Sequence, residues 1–167
     1  MAYTAIDNPE LYFQVKLYTG TGTSTAFTLD GSEDMQPDVV WFKQRGSNTN
    51  HKIFDAVRGV QEALQPNDVD AEATNANGLT AFGSDGFTIG DHGDLNTSSG
   101  TYVAWCWKAG GSASTDDAGT IDSSTSTSTT AGFSIATWTS TAAAHTIGHS
   151  LGVVPAVILM KGRHESN

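Results

Sequence analysis

One short phrase occurs twice in this chain, as Pro37-Asp38-Val39-Val40-Trp41-Phe42-Lys43-Gln44-Arg45 and again as Pro155-Ala156-Val157-Ile158-Leu159-Met160-Lys161-Gly162-Arg163. Its Pro, Lys and Arg recur at a single offset of 118 positions. Each phrase opens at a proline, which can begin a strand but cannot sit within a central one, runs through apolar residues and closes in two cations. An aromatic-Thr pair lies upstream of each, Tyr18-Thr19 and Trp138-Thr139. Self-similarity at a fixed offset marks a repeated structural unit, so the chain reads as one β unit followed by the opening of a second.

Composition narrows the class. Hydrophobic residues make up 38% of the 167, a lean supply for one core, so any core is expected to be thin. Eighteen glycines, with Ser, Thr and Asn crowding the sequence, suit short strands joined by turns, and the expected class is all-β. The formal charge of −10 gives no clustered Lys and Arg to neutralise phosphates, which argues against DNA or RNA as a partner. Acidity of this kind serves solubility. The lone Cys106, set between Trp105 and Trp107, has no internal disulfide partner, and assembly in a reducing cytoplasm is expected. The first residues show no basic and apolar leader, and no run of about 18 apolar residues exists to span a membrane.

Along the chain, residues 11–18 alternate in part like a strand, with residues 26–29 as the expected hairpin partner across a Gly/Thr/Ser turn. The first proline phrase follows, then a weaker strand at 51–57, one helical turn at 61–64 stopped by Pro66, and an acidic loop at 67–77. Residues 79–82 and 86–90 form a second hairpin signal around Ser84-Asp85. Thr101-Tyr102-Val103-Ala104-Trp105-Cys106-Trp107-Lys108 is the clearest strand, dense in aromatic and β-branched residues. Residues 112–131 are nearly all Ser, Thr, Ala, Asp and Gly, too polar to offset their ordering entropy by burial, and are expected to be a linker or an exposed extended segment. The organisation is therefore an arm and first strand at 1–17, a β unit at 18–111, the linker at 112–131 and a second, incomplete unit at 132–167.

Candidate sites are sparse. Asp85, Asp91, Asp94 and Asn96 place several oxygens at short spacing, as Ca²⁺ requires, although the spacing is not that of an EF-hand and Asp and Asn are also ordinary turn residues. His145 and His149 lack the Glu of a zinc-protease helix, and no nucleophile elbow or phosphate loop is present. Lys43, Arg45, Lys161 and Arg163 can bind acidic glycans or carboxylates of a neighbouring subunit, or serve as charges that discourage edge pairing. Trp105 and Trp107 share a face by period-two geometry, and with Trp138 they can form a sugar-stacking platform, or else belong with Trp41 to the core. No cofactor is called for beyond the weak Ca²⁺ set.

Taken together, Ala5-Ile6-Asp7-Asn8-Pro9 with Tyr12-Phe13-Gln14, Gln36-Pro37-Asp38-Val39-Val40-Trp41-Phe42-Lys43, Phe54-Asp55-Ala56-Val57-Arg58-Gly59, Asp85-Gly86-Phe87 and Tyr102-Val103-Ala104-Trp105-Cys106-Trp107-Lys108-Ala109-Gly110-Gly111 cover most of residues 1–111 in order. In this the chain resembles a repeat family of tailed-bacteriophage virion structural and tail-fibre proteins, found especially in marine phages. The resemblance implies an antiparallel β-sandwich of the jelly-roll or lectin-like kind, with units following one another. It implies a non-enzymatic virion protein, assembled in the host cytoplasm and acting in host adsorption, with other tail or capsid proteins as partners, a homo-oligomer, most simply a trimer, and a host surface glycan as a further partner. It supplies no catalytic residues. Because the second unit stops just after Lys161-Gly162-Arg163, its strands are expected to pair with the first unit, another subunit or sequence beyond Asn167. A capsid decoration protein is the nearest rival, followed by a free carbohydrate-binding module. A glycan-degrading enzyme would need a carboxylate pair facing a cleft, which the acid spacing does not provide.

Overall fold

The computed structural model describes residues 6–164. The first five positions of the expected N-terminal arm, and residues 165–167, lie outside the described residues. A 3₁₀ turn at Pro9–Leu11 leads into twelve strands: β1 (Phe13–Thr19), β2 (Thr25–Thr28), β3 (Val39–Gln44), β4 (Lys52–Asp55), β5 (Gly59–Leu64), β6 (Ala73–Thr74), β7 (Leu79–Gly83), β8 (Gly86–Ile89), β9 (Thr101–Trp107), β10 (Ser114–Asp116), β11 (Ser123–Ser128) and β12 (Phe133–Thr137). One helical turn, α1 (Gly93–Asn96), precedes β9.

All pairing is antiparallel. A six-stranded sheet in the order β1-β9-β3-β4-β5-β6 faces a three-stranded sheet β2-β8-β7, and this all-β sandwich encloses the core. Period-two alternation sorts the residues of β9: Tyr102, Ala104 and Cys106 are fully buried against the opposite sheet, whereas Val103, Trp105 and Trp107 point outward and are half-buried. The neighbouring strands obey the same rule in register, with Val40 and Phe42 of β3 and Tyr18 of β1 inside. Phe87 of β8 closes the core from the other sheet, edge-on to Phe42 with ring centroids 5.1 Å apart, and Tyr18 stacks on Tyr102 at 5.0 Å. Removing a buried ring such as Phe42 costs about 3–5 kcal/mol.

Two local rules explain the connections. Gly86 lies at a φ of 121° where a Cβ would run into the Phe27 carbonyl, so the Asp85-Gly86 turn lets β8 close against β2. At the β4–β5 hairpin, Asp55 Oδ1 accepts from Val57 N (3.0 Å) and Arg58 N (2.9 Å), which accounts for the Phe54-Asp55-Ala56-Val57-Arg58-Gly59 motif as turn chemistry.

Three local expectations are corrected. Residues 11–18 and 26–29 do not form a hairpin: β1 pairs with β9 and β2 with β8, so the Gly/Thr/Ser turn carries the chain from one sheet to the other. Residues 61–64 belong to β5, where the ladder to β4 overrides their helical propensity. The Ser/Thr stretch at 112–131, expected as a linker or exposed extended segment, contains β10 and β11, and with β12 it builds a third sheet in the order β10-β11-β12. Ser123, Thr125 and Ser126 are buried there. The reason is that their hydroxyls bond backbone instead of water. Ser123 Oγ donates to the Gly148 carbonyl (2.8 Å), Ser126 Oγ to the Gly111 carbonyl (2.7 Å) and Thr127 Oγ1 to the His149 carbonyl (3.1 Å). Polar pairing holds this sheet where apolar burial could not.

Candidate functional site

The outward face of the six-stranded sheet gathers apolar side chains that a solvated sheet face ordinarily lacks. Strand register places Val15 of β1, Trp105 of β9, Trp41 of β3, Ile53 of β4 and Leu64 of β5 in one row. Phe13, Val15 and Leu17, on the edge strand β1, are 38%, 43% and 56% exposed. Trp41 and Trp105 meet edge-on with centroids 6.1 Å apart.

Trp41 is fixed by His51. Its Nε1 donates to His51 Nδ1 at 2.8 Å, and the rings lie 5.7 Å apart. Burial, and then the Lys43 ammonium, hold the His51 imidazole below its usual pKa, so the neutral ring accepts the indole proton at neutral pH. Lys43 Nζ donates to the carbonyls of Ser47 (2.8 Å) and Thr49 (2.9 Å), which ties the β3–β4 loop beside the indole. Arg45 is exposed on that loop, and its backbone N–H donates to the Thr101 carbonyl (2.7 Å). His51 was not singled out in the sequence, since its significance depends on a loop that returns it to Trp41.

The tryptophans divide. Trp105 and Trp107 do share a face, but only Trp105 belongs with Trp41. Trp107 is flanked by Phe13 (5.0 Å) and by Phe133 of β12, which stacks on it at 6.1 Å with planes 9° from parallel. It thus serves as the joint between the sandwich and the third sheet. Trp138, half-buried, lies just past β12.

Lys161 and Arg163 bind oxygens of their own chain. Lys161 Nζ donates to the Asp68 carbonyl (2.9 Å), and Arg163 reaches Glu72 Oε1 from Nη2 at 2.6 Å and both carboxylate oxygens from Nε at 3.1 Å. Glu72 N donates in turn to the Arg163 carbonyl (2.8 Å). Arg58, its side chain 2% exposed, takes the other side of Glu72 at 2.7 Å and also Asp55 at 2.5 Å. Burial pushes the Glu72 carboxyl upward, but the hydrogen bonds and charges of Arg163 and Arg58 outweigh it and hold the group below its usual range.

The oxygens expected for Ca²⁺ do not converge. Asp85 and Asp91 lie beyond opposite ends of β8, whose four residues alone span about 13 Å of extended strand. Asp85 Oδ1 accepts from Met35 N at 3.2 Å, and Asp94 pairs with Lys52 at 3.2 Å. Asn96 is fully buried with its amide occupied, donating to the carbonyls of Thr23 (2.6 Å) and Gly90 (2.7 Å) and accepting from Thr21 N (2.7 Å). Among the described residues no three His, Cys, Asp or Glu side chains are grouped to hold a metal. An open hollow of about 940 Å³ lies between Asp116 and the loop at 147–155, and none of the residues of the aromatic face line it.

A match to a described family, a domain of unknown function designated DUF7483, covers residues 8–167. The chain belongs to the DUF7483 family. The match crosses the sandwich, the Ser/Thr strands and the second proline phrase without a break, so the DUF7483 domain includes both copies of the repeated phrase. Neither a curated protein nor a solved structure matches the chain.

Proposed function

We propose that this DUF7483 chain is a non-enzymatic structural protein of a tailed-bacteriophage virion, a tail-fibre segment of the attachment or shaft region that takes part in host adsorption. The observation that carries the reading is the exposure of the second proline phrase. Val157, Ile158, Leu159 and Met160 are 75–78% exposed and carry no ladder, although the same phrase in the first unit forms the buried strand β3. An apolar segment left open in this way suits an assembly contact, as a modular fibre needs. The motif resemblance across residues 1–111 supports the virion setting. In this reading the protein assembles in the host cytoplasm, its partners are tail proteins and further copies of itself, most simply as a trimer, and the exposed Arg45 at the start of the β3–β4 loop faces those partners.

A second reading rests on the Trp41–Trp105 pair beside Lys43 and His51: the same face binds a host surface glycan, with the indoles against the apolar faces of the sugar rings. It adds a receptor role to the fibre and also covers a free carbohydrate-binding module.

Antibodies raised against the folded protein test the proposal. They are expected to label purified phage particles at the tail and to block adsorption to host cells. Labelling spread over the capsid would replace the fibre reading with a decoration protein, and absence from the particle would refute both.

A further inference from the structure

The outer edge of β1 keeps its backbone groups unpaired. Lys108 N donates to the Tyr12 carbonyl (2.9 Å) and Gly20 N to the Gly100 carbonyl (2.8 Å), and the register to β9 runs unbroken from Phe13 to Thr19 between them. In an antiparallel ladder successive residues alternate between facing the partner strand and facing away from it, so the even-numbered residues of β1 bond β9. The N–H and C=O groups of Phe13, Val15, Leu17 and Thr19 therefore point off the sheet, and among the described residues they have no partner. Phe13, Val15 and Leu17 also carry the exposed apolar side chains of this strand.

The other outer strands are shorter. β1 has seven residues, against two in β6, four in β2, five in β7, three in β10 and five in β12. Proteins blunt long open edges with a proline, a bulge or an inward charge. β1 has no proline and no bulge. Its one charge, Lys16, is 16% exposed and pairs with Asp30 of its own chain, so a strand laid along the edge meets a cation that is already neutralised.

We propose that this edge is a self-association site, at which β1 of a second copy pairs antiparallel with it about a two-fold axis through Val15. The register follows from the residues. With Val15 opposite Val15, Phe13 of each copy meets Leu17 of the other, so apolar side chains lie on apolar ones across the outward face. Gln14 meets Lys16 on the inner face. The Gln14 side chain is bonded to Gly31 N (2.9 Å) and to the Glu33 carbonyl (2.9 Å), in a loop that carries Asp30, Glu33 and Asp34. The cation of each copy is thus set toward an acidic loop of the other, a charge complementarity that a second copy supplies by itself. Moving the axis one residue, to Lys16, would place two ammonium groups directly opposite each other, a destabilising pair. The axis at Val15 also makes the outward row continuous, with Leu64, Ile53, Trp41, Trp105 and Val15 of one copy running into the same row of the other. A two-fold contact joins copies in pairs, and combined with a three-fold contact elsewhere it gives a dihedral hexamer. This inference rests on strand geometry and stands apart from the virion proposal.

Sedimentation velocity over about 1–200 µM tests the contact, with thermal melting as the check that each protein is folded. The full chain is expected to shift from monomer to dimer as the concentration rises. Val15→Pro removes an N–H that points off the sheet and spares the ladder to β9, so it is expected to melt close to the wild-type protein while weakening association about 10-fold or more. Leu17→Lys, which sets a charge against Phe13 of the other copy, is expected to act in the same direction. Single cysteines fix the register. Opposed Cα atoms of a hydrogen-bonded antiparallel pair lie about 5.5 Å apart, within disulfide reach, so Val15→Cys is expected to give a covalent dimer on mild oxidation. Leu17→Cys, which faces Phe13 instead of itself, is expected to remain monomeric under the same treatment, the native Cys106 being buried in both. A monomer at every concentration, or a dimer that survives both Val15→Pro and Leu17→Lys, would overturn the site. A cross-link as strong from position 17 as from position 15 would overturn the register.

Discussion

Trp107 and Phe133 lie face to face, centroids 6.1 Å apart, across the junction between the sandwich and the third sheet. The pair joins β9 of the six-stranded sheet to β12 of the third sheet, so the Ser/Thr stretch between them has its two ends held. Phe133→Ala is expected to lower unfolding free energy by about 1–2 kcal/mol, given a half-buried ring and one stacking partner. It should also raise hydrogen exchange in β11 and β12 while leaving β3 and β9 unchanged. Denaturant titration with exchange mass spectrometry measures both.

Asp38 is a buried carboxylate whose partners are backbone N–H groups of Ala109 and Gly111, and this explains why a Pro-Asp start to β3 goes with an Ala-Gly-Gly end to β9. Asp38→Ala strands two donors and is expected to cost about 2–4 kcal/mol, whereas Asp38→Asn keeps an acceptor oxygen and should cost less than half of that. Equal losses in chemical denaturation would remove Asp38 from this role.

The Glu72 clip has a defined pH sign. The folded-state pKa lies below the ordinary value of 4.5, so its contribution to stability is complete above that value and is lost as the pH falls through the folded one. Glu72→Gln leaves the buried Arg58 with Asp55 as its one carboxylate and is expected to cost about 2–4 kcal/mol at pH 7. Arg163→Ala removes the more exposed partner and should cost about 1 kcal/mol or less, but free residues 157–163 from the first unit. Stability curves from pH 3 to 7 for the three proteins check the order.

His51 gives the opposite end of the scale a marker. Its folded pKa is depressed below 6.5, so neutral His51 contributes above that pH and its contribution disappears as acid protonates Nδ1 and breaks the bond from Trp41. Tryptophan fluorescence is expected to step below pH 6.5 in the wild-type protein and to stay flat there in His51→Ala and Trp41→Phe.

Cys106 is fully buried, and burial pushes its thiol up to about 12. Alkylation at pH 8 is expected to proceed only at the rate of opening, so that denaturant accelerates it by orders of magnitude. Fast labelling of the folded protein would contradict the placement of β9 between β1 and β3 with Cys106 facing the core.

The sequence made some of this legible and hid the rest for physical reasons. The period-two pattern of Tyr102, Ala104 and Cys106 against Trp105 and Trp107 identifies β9 and its faces, because alternation is a local property. The partnership of β1 with β9, 88 positions away from Phe13 to Thr101, is nonlocal and left no local trace, so a hairpin with β2 looked equally good. Ser123, Ser126 and Thr127 read as linker because their hydroxyls are paired with the carbonyls of Gly148, Gly111 and His149, which the fold brings back on them. Of the candidate site, the tryptophans and the cations were visible as residue types. His51, Glu72, Arg58 and Asp38 acquire their roles from partners brought by turns.

The most direct measurement is a cryo-electron microscopy map of the intact phage particle at a resolution that traces strands. The account predicts copies grouped in threes or sixes at the tail, with residues 157–160 covered by neighbouring chains. Hundreds of copies on the capsid lattice with residues 157–160 still facing solvent would contradict it.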